Sequence, residues 1–114
     1  MTILSGRVHG YLDYATVVLF GVAPSLLGLT GLTAWIAYAL AGVHLLLTLL
    51  TRFPLGLLPV VPLALHGVIE LAVSVALVAL PWLVGFAADA TARIFYMVAG
   101  AVIFIVWVFT AYRD

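Results

Sequence analysis

Residues 8–28 read VHGYLDYATVVLFGVAPSLLG, and residues 65–85, 57 positions later, read LHGVIELAVSVALVALPWLVG. Each copy is long and apolar enough to form a helix that crosses the roughly 30 Å hydrocarbon core of a bilayer. Each also carries a histidine and a carboxylate four residues apart, which are His9 with Asp13 and His66 with Glu70. Because ionisable groups are costly in hydrocarbon, this duplicated pair predicts a functional site inside a membrane-spanning bundle.

The composition of the chain is typical of a membrane protein. Of its 114 residues, 68% are hydrophobic and only 7% are charged. Charged residues average about a quarter of a typical globular sequence, so a soluble domain is excluded. Cysteine, lysine, asparagine and glutamine are absent, which excludes disulfides and thiolate metal ligands. The formal net charge is zero, and nothing in the composition indicates a nucleic-acid partner.

Four apolar stretches predict an all-α, four-helix transmembrane bundle in a single domain, residues 1–114. The predicted spans cover residues 8–28, 31–51, 62–84 and 90–112. Each helix that carries the pattern is followed by a second predicted span. We therefore expect two tandem helical-hairpin repeats, about 7–52 and about 62–113. Because two crossings return the chain to its starting side, the two repeats enter the bilayer from the same side and are parallel.

The arginines predict how the bundle is oriented. With four crossings, Arg7, Arg52 and Arg113 lie on one side of the membrane and Arg93 alone on the other. The positive-inside rule then places both termini in the cytoplasm and the protein in the plasma (inner) membrane. We reject a signal-peptide interpretation of the first helix, because Asp13 interrupts its apolar stretch.

A layer of polar side chains is predicted in the cytoplasmic half of the bundle. The candidate ligand- or proton-binding residues come from three helices, and they are His9, Asp13, His44, His66 and Glu70. Four further residues are candidates to support them: Arg7, Arg52, Thr48 and Ser74. Residues four apart share one face of a helix, so each histidine points the same way as its acid. The fourth helix adds no ionisable group to this layer, and the repeat partner of His44 is near Val102, which predicts an asymmetric site.

Three chemistries fit this set of residues. His9, His66, Asp13 and Glu70 are two imidazoles and two carboxylates, which suit a divalent transition metal such as zinc, iron, manganese or nickel. His9 and His66 lie at matching depth on parallel helices, so they are also candidates for axial ligands of a haem or another tetrapyrrole. Carboxylates beside imidazoles in a low-dielectric interior are the material of a proton relay.

A structural interpretation competes with these chemistries. The His–acid pairs would then only stabilise helix packing in a structural or accessory membrane subunit, with Arg7 or Arg52 completing the network. We favour a site that binds or conducts a cation, or binds a cofactor, because packing alone already holds such helices together. No reaction-specific motif is present, which favours a protein that is not an enzyme. A four-helix bundle leaves little room for a water-filled pathway within one chain. A pathway could run between chains, which is compatible with a homo-oligomer or a larger membrane complex.

The end of the second copy, Leu80-Pro81-Trp82-Leu83-Val84-Gly85-Phe86, resembles the signature of the bacterial SPW-repeat membrane proteins. That signature is a Ser-Pro-Trp followed by Leu-x-Gly-Phe at the end of an apolar helix that carries an aspartate. Glu70 and Asp13 lie roughly at the position of that aspartate. The second copy has Leu80 in place of the leading serine, and the first copy, from Pro24 to Gly28, lacks the tryptophan. The resemblance implies a two-helix repeat in a small bacterial integral membrane protein and implies no biochemical role.

Overall fold

The computed structural model describes residues 4–51 and 56–110, and these form four helices. The helices are α1 (Gly6–Leu27), α2 (Gly31–Leu49), α3 (Leu63–Val84) and α4 (Ala90–Phe109). All four are long and apolar enough to cross a membrane, and the described ranges contain no β-strand. The predicted all-α four-helix bundle is therefore confirmed, and its composition indicates a membrane protein.

The first helices of the two hairpins end in the same way. Gly28 and Gly85 follow α1 and α3 with φ angles of 68° and 92°, a left-handed conformation that glycine adopts without a steric penalty. Pro24 and Pro81 lie in the last turn of each helix, where their carbonyl oxygens accept hydrogen bonds from the residues that close the turn. The duplicated prolines and glycines therefore mark helix ends.

α2 and α4, the second helices of the two hairpins, end two and three residues earlier than their predicted spans. After each of them the chain leaves the helix and forms an isolated β-bridge. Thr51 pairs with Val61 just before α3, and Thr110 pairs with Leu4 just before α1. Leu4 and Val61 are 57 positions apart, so the two bridges are equivalent in the repeat. Each bridge joins the end of one hairpin to the start of the other. The starts of α1 and α3 differ from prediction by two residues and one residue.

The apolar core lies in the part of the bundle beyond the His–acid layer. The rings of Phe20 and Phe95 meet edge to face with centroids 5.6 Å apart, and Tyr96 donates a hydrogen bond of 2.6 Å to the Thr33 carbonyl oxygen. This bond joins α4 to α2 and so fastens one hairpin to the other. Many outward-facing side chains of the four helices are large and apolar, which is compatible with contact with lipid.

The second hairpin is packed through a glycine. A Cβ atom added at Gly100 would lie 2.7 Å from the Ser74 carbonyl oxygen and 2.9 Å from Val78 Cγ2. Only a residue without a side chain lets α4 lie this close to α3, a device common where membrane helices pack. The equivalent position in the first hairpin is Ala41, so the two hairpins are not packed alike.

Candidate metal centre

The two predicted His–acid pairs meet between α1 and α3. His9 and Asp13 lie one turn apart on α1, and His66 and Glu70 lie one turn apart on α3. All four side chains are buried, with at most 3% of any residue exposed. One ligand atom from each residue can be chosen so that the four atoms lie within 4.8 Å of one another. The two pairs occupy the same positions in α1 and α3 and also contact each other. The two helices, and with them the two hairpins, therefore run parallel, as predicted.

Each carboxylate contacts both histidines. Asp13 places Oδ1 at 3.1 Å from His9 Nε2 and Oδ2 at 2.9 Å from His66 Nε2. Glu70 places Oε1 at 3.0 Å from His66 Nε2 and Oε2 at 2.9 Å from His9 Nε2. Imidazole nitrogens and carboxylate oxygens therefore alternate around one point. Half of the donors come from each hairpin, so the arrangement exists only where the two hairpins meet.

Two threonines hold the opposite edges of the imidazole rings. His9 Nδ1 lies 2.8 Å from Thr110 Oγ1, and His66 Nδ1 lies 2.7 Å from Thr51 Oγ1. Each threonine hydroxyl donates its single hydrogen to the backbone carbonyl four residues earlier in the chain. The hydroxyl must therefore accept the hydrogen bond from the ring. We assign Nδ1–H to both histidines on this ground, which directs each Nε2 at the carboxylates.

The centre of the cluster requires protons or another cation. If Nε2 carries no proton, two nitrogen lone pairs face carboxylate oxygens at about 3 Å, which is unfavourable in a buried site unless a cation lies between them. The alternative is a proton on each Nε2, which makes two imidazolium ions. If His66 Nε2, which lies 2.9 Å away, carries no proton, the buried Asp13 Oδ2 accepts no hydrogen bond among the described residues. Its lone pairs are therefore available to a cation.

His44 lies at the edge of this cluster on α2. Its Nε2 is 3.4 Å from Asp13 Oδ1 and 3.7 Å from Glu70 Oε1, farther than the nitrogens of His9 and His66. The side chain is 11% exposed, whereas those of the other two histidines are fully buried. The hydrogen bond to Asp13 makes His44 an outer neighbour of the four converging groups.

The repeat partner of His44 differs by one residue from the prediction. The loop between α3 and α4 is two residues longer than the loop between α1 and α2. The offset between the second helices is therefore 59 rather than 57, and it pairs His44 with Ile103, the residue next to the predicted Val102. Ile103 is buried and lies beside the same small cavity as His44. The site is asymmetric at this position, with an imidazole on one side and an alkyl group on the other.

The predicted supporting residues have other roles or lie elsewhere. The hydroxyls of Thr48 and Ser74 are buried and donate 2.7 Å hydrogen bonds to backbone carbonyl oxygens of their own helices. Arg7 is exposed in the first turn of α1. Arg52 lies outside the described residues, as does Arg113. The structure therefore brings together His9, Asp13, His66 and Glu70, with His44 beside them.

Thr51 and Thr110 were not predicted as site residues from the sequence. When the two repeats are aligned with the offset of 57 that relates α1 to α3, Thr110 aligns with Phe53 and the threonines do not match. At the offset of 59 that relates the second helices, the two threonines coincide. Allowing for a longer second loop would have revealed them as a duplicated pair.

No protein-family model matches this chain, and no curated protein or solved structure shows significant similarity to it. The resemblance to SPW-repeat proteins stays a prediction. The function is therefore argued from the chemistry of the site, since a helical bundle as a fold carries no function of its own.

Proposed function

We propose that this protein binds a divalent first-row transition-metal ion within the membrane, held by His9, Asp13, His66 and Glu70. The observation that carries the proposal is the convergence of these four buried side chains on one point. Two imidazoles and two carboxylates suit zinc, iron, manganese or nickel. Metal-binding histidines in proteins almost always donate their other ring N–H to an oxygen, and Thr110 and Thr51 accept such bonds here.

The distances within the cluster agree with a single ion. Bonds of about 2.0–2.1 Å in a tetrahedral complex hold neighbouring donor atoms about 3.3 Å apart. The four short N–O separations are 2.9–3.1 Å and use both oxygens of each carboxylate, whereas the donor atoms chosen one per residue lie within 4.8 Å of one another, so an ion at the centre requires shifts of the side chains. Such shifts are small beside the rotamer changes that would be needed to assemble a site from dispersed residues.

The charge of the site also agrees with a divalent ion. Two carboxylates and two neutral imidazoles carry a charge of −2, which one divalent cation neutralises. Two protons, one on each Nε2, neutralise the same charge and give a network of ion pairs. This protonated network is the second candidate, and it corresponds to a structural or proton-handling role. The outer hydrogen bonds from Nδ1 are compatible with both candidates, and in neutral rings they leave both Nε2 atoms as metal ligands.

The geometry favours an ion over a haem. The ring centroids of His9 and His66 are 5.6 Å apart, and both Nε2 atoms face the carboxylates of Asp13 and Glu70. These carboxylates occupy the space that a porphyrin plane would need between two axial ligands. An absorbance spectrum of the purified protein separates the two ligands, since only a haem gives a Soret band.

The proposed metal centre lies toward the cytoplasm. Arg7, Arg52 and Arg113 against Arg93 support cytoplasmic termini in an inner membrane. Asp13 and Glu70 each lie seven residues after the first residue of their helix, or about 10 Å at the usual rise of a helix. A cytoplasmic ion would then cross less than half of the hydrocarbon core to reach its ligands.

Metal analysis of the purified full chain tests the proposal. We expect one transition-metal ion per chain after loading with zinc and removal of the excess. The double variant Asp13→Asn, Glu70→Gln keeps the size of both side chains and removes both charges, so its metal content should fall to background. Asp89→Asn is the matched control, because Asp89 caps α4 with a hydrogen bond to Ala92 and lies far along the chain from the cluster. This variant should bind metal like the parent protein.

The outcomes of this experiment separate the two candidate functions. Metal retained by the double variant, or absent from a correctly folded parent protein, contradicts the proposal. Circular dichroism checks that each variant is helical, and His9→Gln gives a second test if the double variant does not fold. A proton flux into liposomes that depends on Glu70, in a protein that binds no metal, would support the protonated network instead.

A further inference from the structure

A large apolar groove lies along the seam between α1 and α4. Its volume is about 450 Å³, which falls in the range of small-molecule binding pockets. The groove extends from Leu27 and Thr91 to Thr16, a distance of about 16 Å along α1 at 1.5 Å per residue. Apart from the two threonines, its lining is hydrophobic, with Phe20 and Ala99 among its inner residues.

The inner end of the groove borders the polar cluster. Thr16, Val102 and Ile103 line both the groove and a second cavity of about 20 Å³. The second cavity has room for about one water molecule. Its polar wall is formed by side chains of the cluster: Asp13, His44 and Glu70. The elongated apolar groove therefore borders a small space whose wall includes two hydrogen-bond acceptors, Asp13 and Glu70.

The groove follows from a difference between the hairpins. Ala99 on α4 corresponds to Leu40 on α2, 59 positions earlier. Leu40 packs against the apolar core, whereas Ala99 leaves room beside the rings of Phe20 and Phe95. The short side chain of Ala99 thus leaves space between α1 and α4 that a leucine at this position would occupy.

We propose that this groove binds a single-chain amphiphile with a neutral hydroxyl head, of the phenol or alcohol class. The tail lies along α1 and α4, and the hydroxyl enters the small cavity and donates a hydrogen bond to Asp13 or Glu70. Carboxylates only accept hydrogen bonds when ionised, so the head must be a donor. The proposal does not depend on the metal, because a carboxylate retains lone pairs for a hydroxyl whether or not an ion is bound.

Two other amphiphile classes fit less well. An anionic head, such as that of a fatty acid, would face two carboxylates in a buried site. A phospholipid would have to place its charged head deep in the hydrocarbon, where charges are costly. A small neutral head avoids both penalties, and its tail occupies the apolar groove.

Native mass spectrometry of the full-length, metal-free protein released from micelles tests the proposal. The probes are para-decylphenol, 1-dodecanol, decylbenzene and decanoate at equal concentration. We expect one decylphenol per chain, retained about tenfold more than decylbenzene, a ratio typical of one hydrogen bond to an ionised group. Retention of dodecanol shows whether the site accepts alcohols as well as phenols, and either hydroxyl probe in saturable 1:1 binding supports the proposal.

Groove-filling variants locate the bound probe. Ala99→Leu places in α4 the side chain that α2 carries and should reduce retention of decylphenol about tenfold. Ala72→Leu makes the same change on an exposed face of α3, outside the groove, and should bind like the parent protein. If Ala99→Leu does not fold, Val98→Phe at the exposed rim of the groove gives the same test.

Three results would overturn the proposal: equal retention of decylbenzene, preferred retention of decanoate, or unchanged binding in both groove variants. Zinc content is measured separately on zinc-loaded samples of the same variants, and Ala99→Leu should keep it, because Ala99 is not a ligand. Loss of amphiphile binding with zinc intact removes only the groove proposal. Binding of the amphiphile by a protein that takes up no zinc removes only the metal proposal.

Discussion

The two hairpins agree at the cluster and differ in how they are packed. Each supplies a histidine, a carboxylate one turn later and a threonine after its second helix. The packing residues differ, since Gly100 in the second hairpin corresponds to Ala41 in the first. A ligand held between two related hairpins requires equal donors from both, whereas each hairpin can pack in its own way. The comparison therefore separates residues kept for the site from residues kept for the fold.

The threonines show how strongly the site depends on both hairpins. Thr51, from the first hairpin, bonds His66 of the second, and Thr110, from the second hairpin, bonds His9 of the first. Neither hairpin alone contains the outer partner of its own histidine. The four donors and their orientation therefore form only when α1 and α3 pack together.

The largest effect is expected from removing one imidazole of each hairpin in turn. His9→Gln and His66→Gln each delete one of four ligands, so each should weaken zinc binding by more than the roughly 10–100-fold typical of outer-shell changes. Because the hairpins supply equal donors, the two losses should be similar in size. Competition titration with a zinc chelator measures both. A large loss in one variant with none in the other would show that only one hairpin binds the ion.

The next effect concerns the threonines. Thr51→Val and Thr110→Val keep the shape of the side chain and remove the hydroxyl that accepts from Nδ1–H, so each should weaken zinc binding about 10–100-fold. Thr48→Val is the control, because the Thr48 hydroxyl bonds only a carbonyl of its own helix among the contacts that the structure describes. The same titration applies, and unchanged affinity in both Thr51 and Thr110 variants would show that ring orientation does not depend on them.

The packing difference predicts a stability effect without a binding effect. Gly100→Ala forces a Cβ atom against the Ser74 carbonyl and should lower the free energy of unfolding by about 1–3 kcal/mol. Gly42→Ala is the control, since a Cβ there meets nothing within 4 Å and should leave stability unchanged or slightly raise it. Thermal unfolding in detergent measures both variants. Equal unfolding temperatures would contradict the close approach of α3 and α4.

The smallest effect is expected at the asymmetric position. His44→Ile installs the residue that the second hairpin carries as Ile103 and removes one long hydrogen bond to Asp13. One such bond contributes about 1 kcal/mol, so zinc affinity should fall about fivefold or less with one ion still bound per chain. Loss of the ion in this variant would make His44 a fifth ligand and require the cluster to rearrange on binding.

The sequence alone predicted the helices and the depth of the site because both follow from local patterns. Four apolar stretches of membrane length specify four helices, and an i, i+4 spacing places His9 with Asp13 on one helix face. The equal positions of His66 and Glu70 in their helix then follow from the repeat. These features require no knowledge of how the helices pack.

The remaining features of the site depend on packing between helices and on loop length. The direction of His44, the exchange of Thr51 and Thr110 between hairpins, and the space beside Ala99 arise from contacts between residues far apart in the chain. A loop longer by two residues was enough to hide the duplicated threonines and to change which residue corresponds to His44. An internal repeat therefore predicts which types of side chain recur more reliably than it predicts the exact positions at which they recur.

X-ray absorption spectroscopy of the zinc-loaded full chain tests the central claim most directly. The account predicts one zinc per chain with two imidazole nitrogens and two carboxylate oxygens at about 2.0–2.2 Å, and loss of one imidazole from the spectrum in His9→Gln and in His66→Gln alike. A correctly folded protein that binds no zinc, or a zinc spectrum that neither substitution alters, would contradict a metal centre shared by the two hairpins.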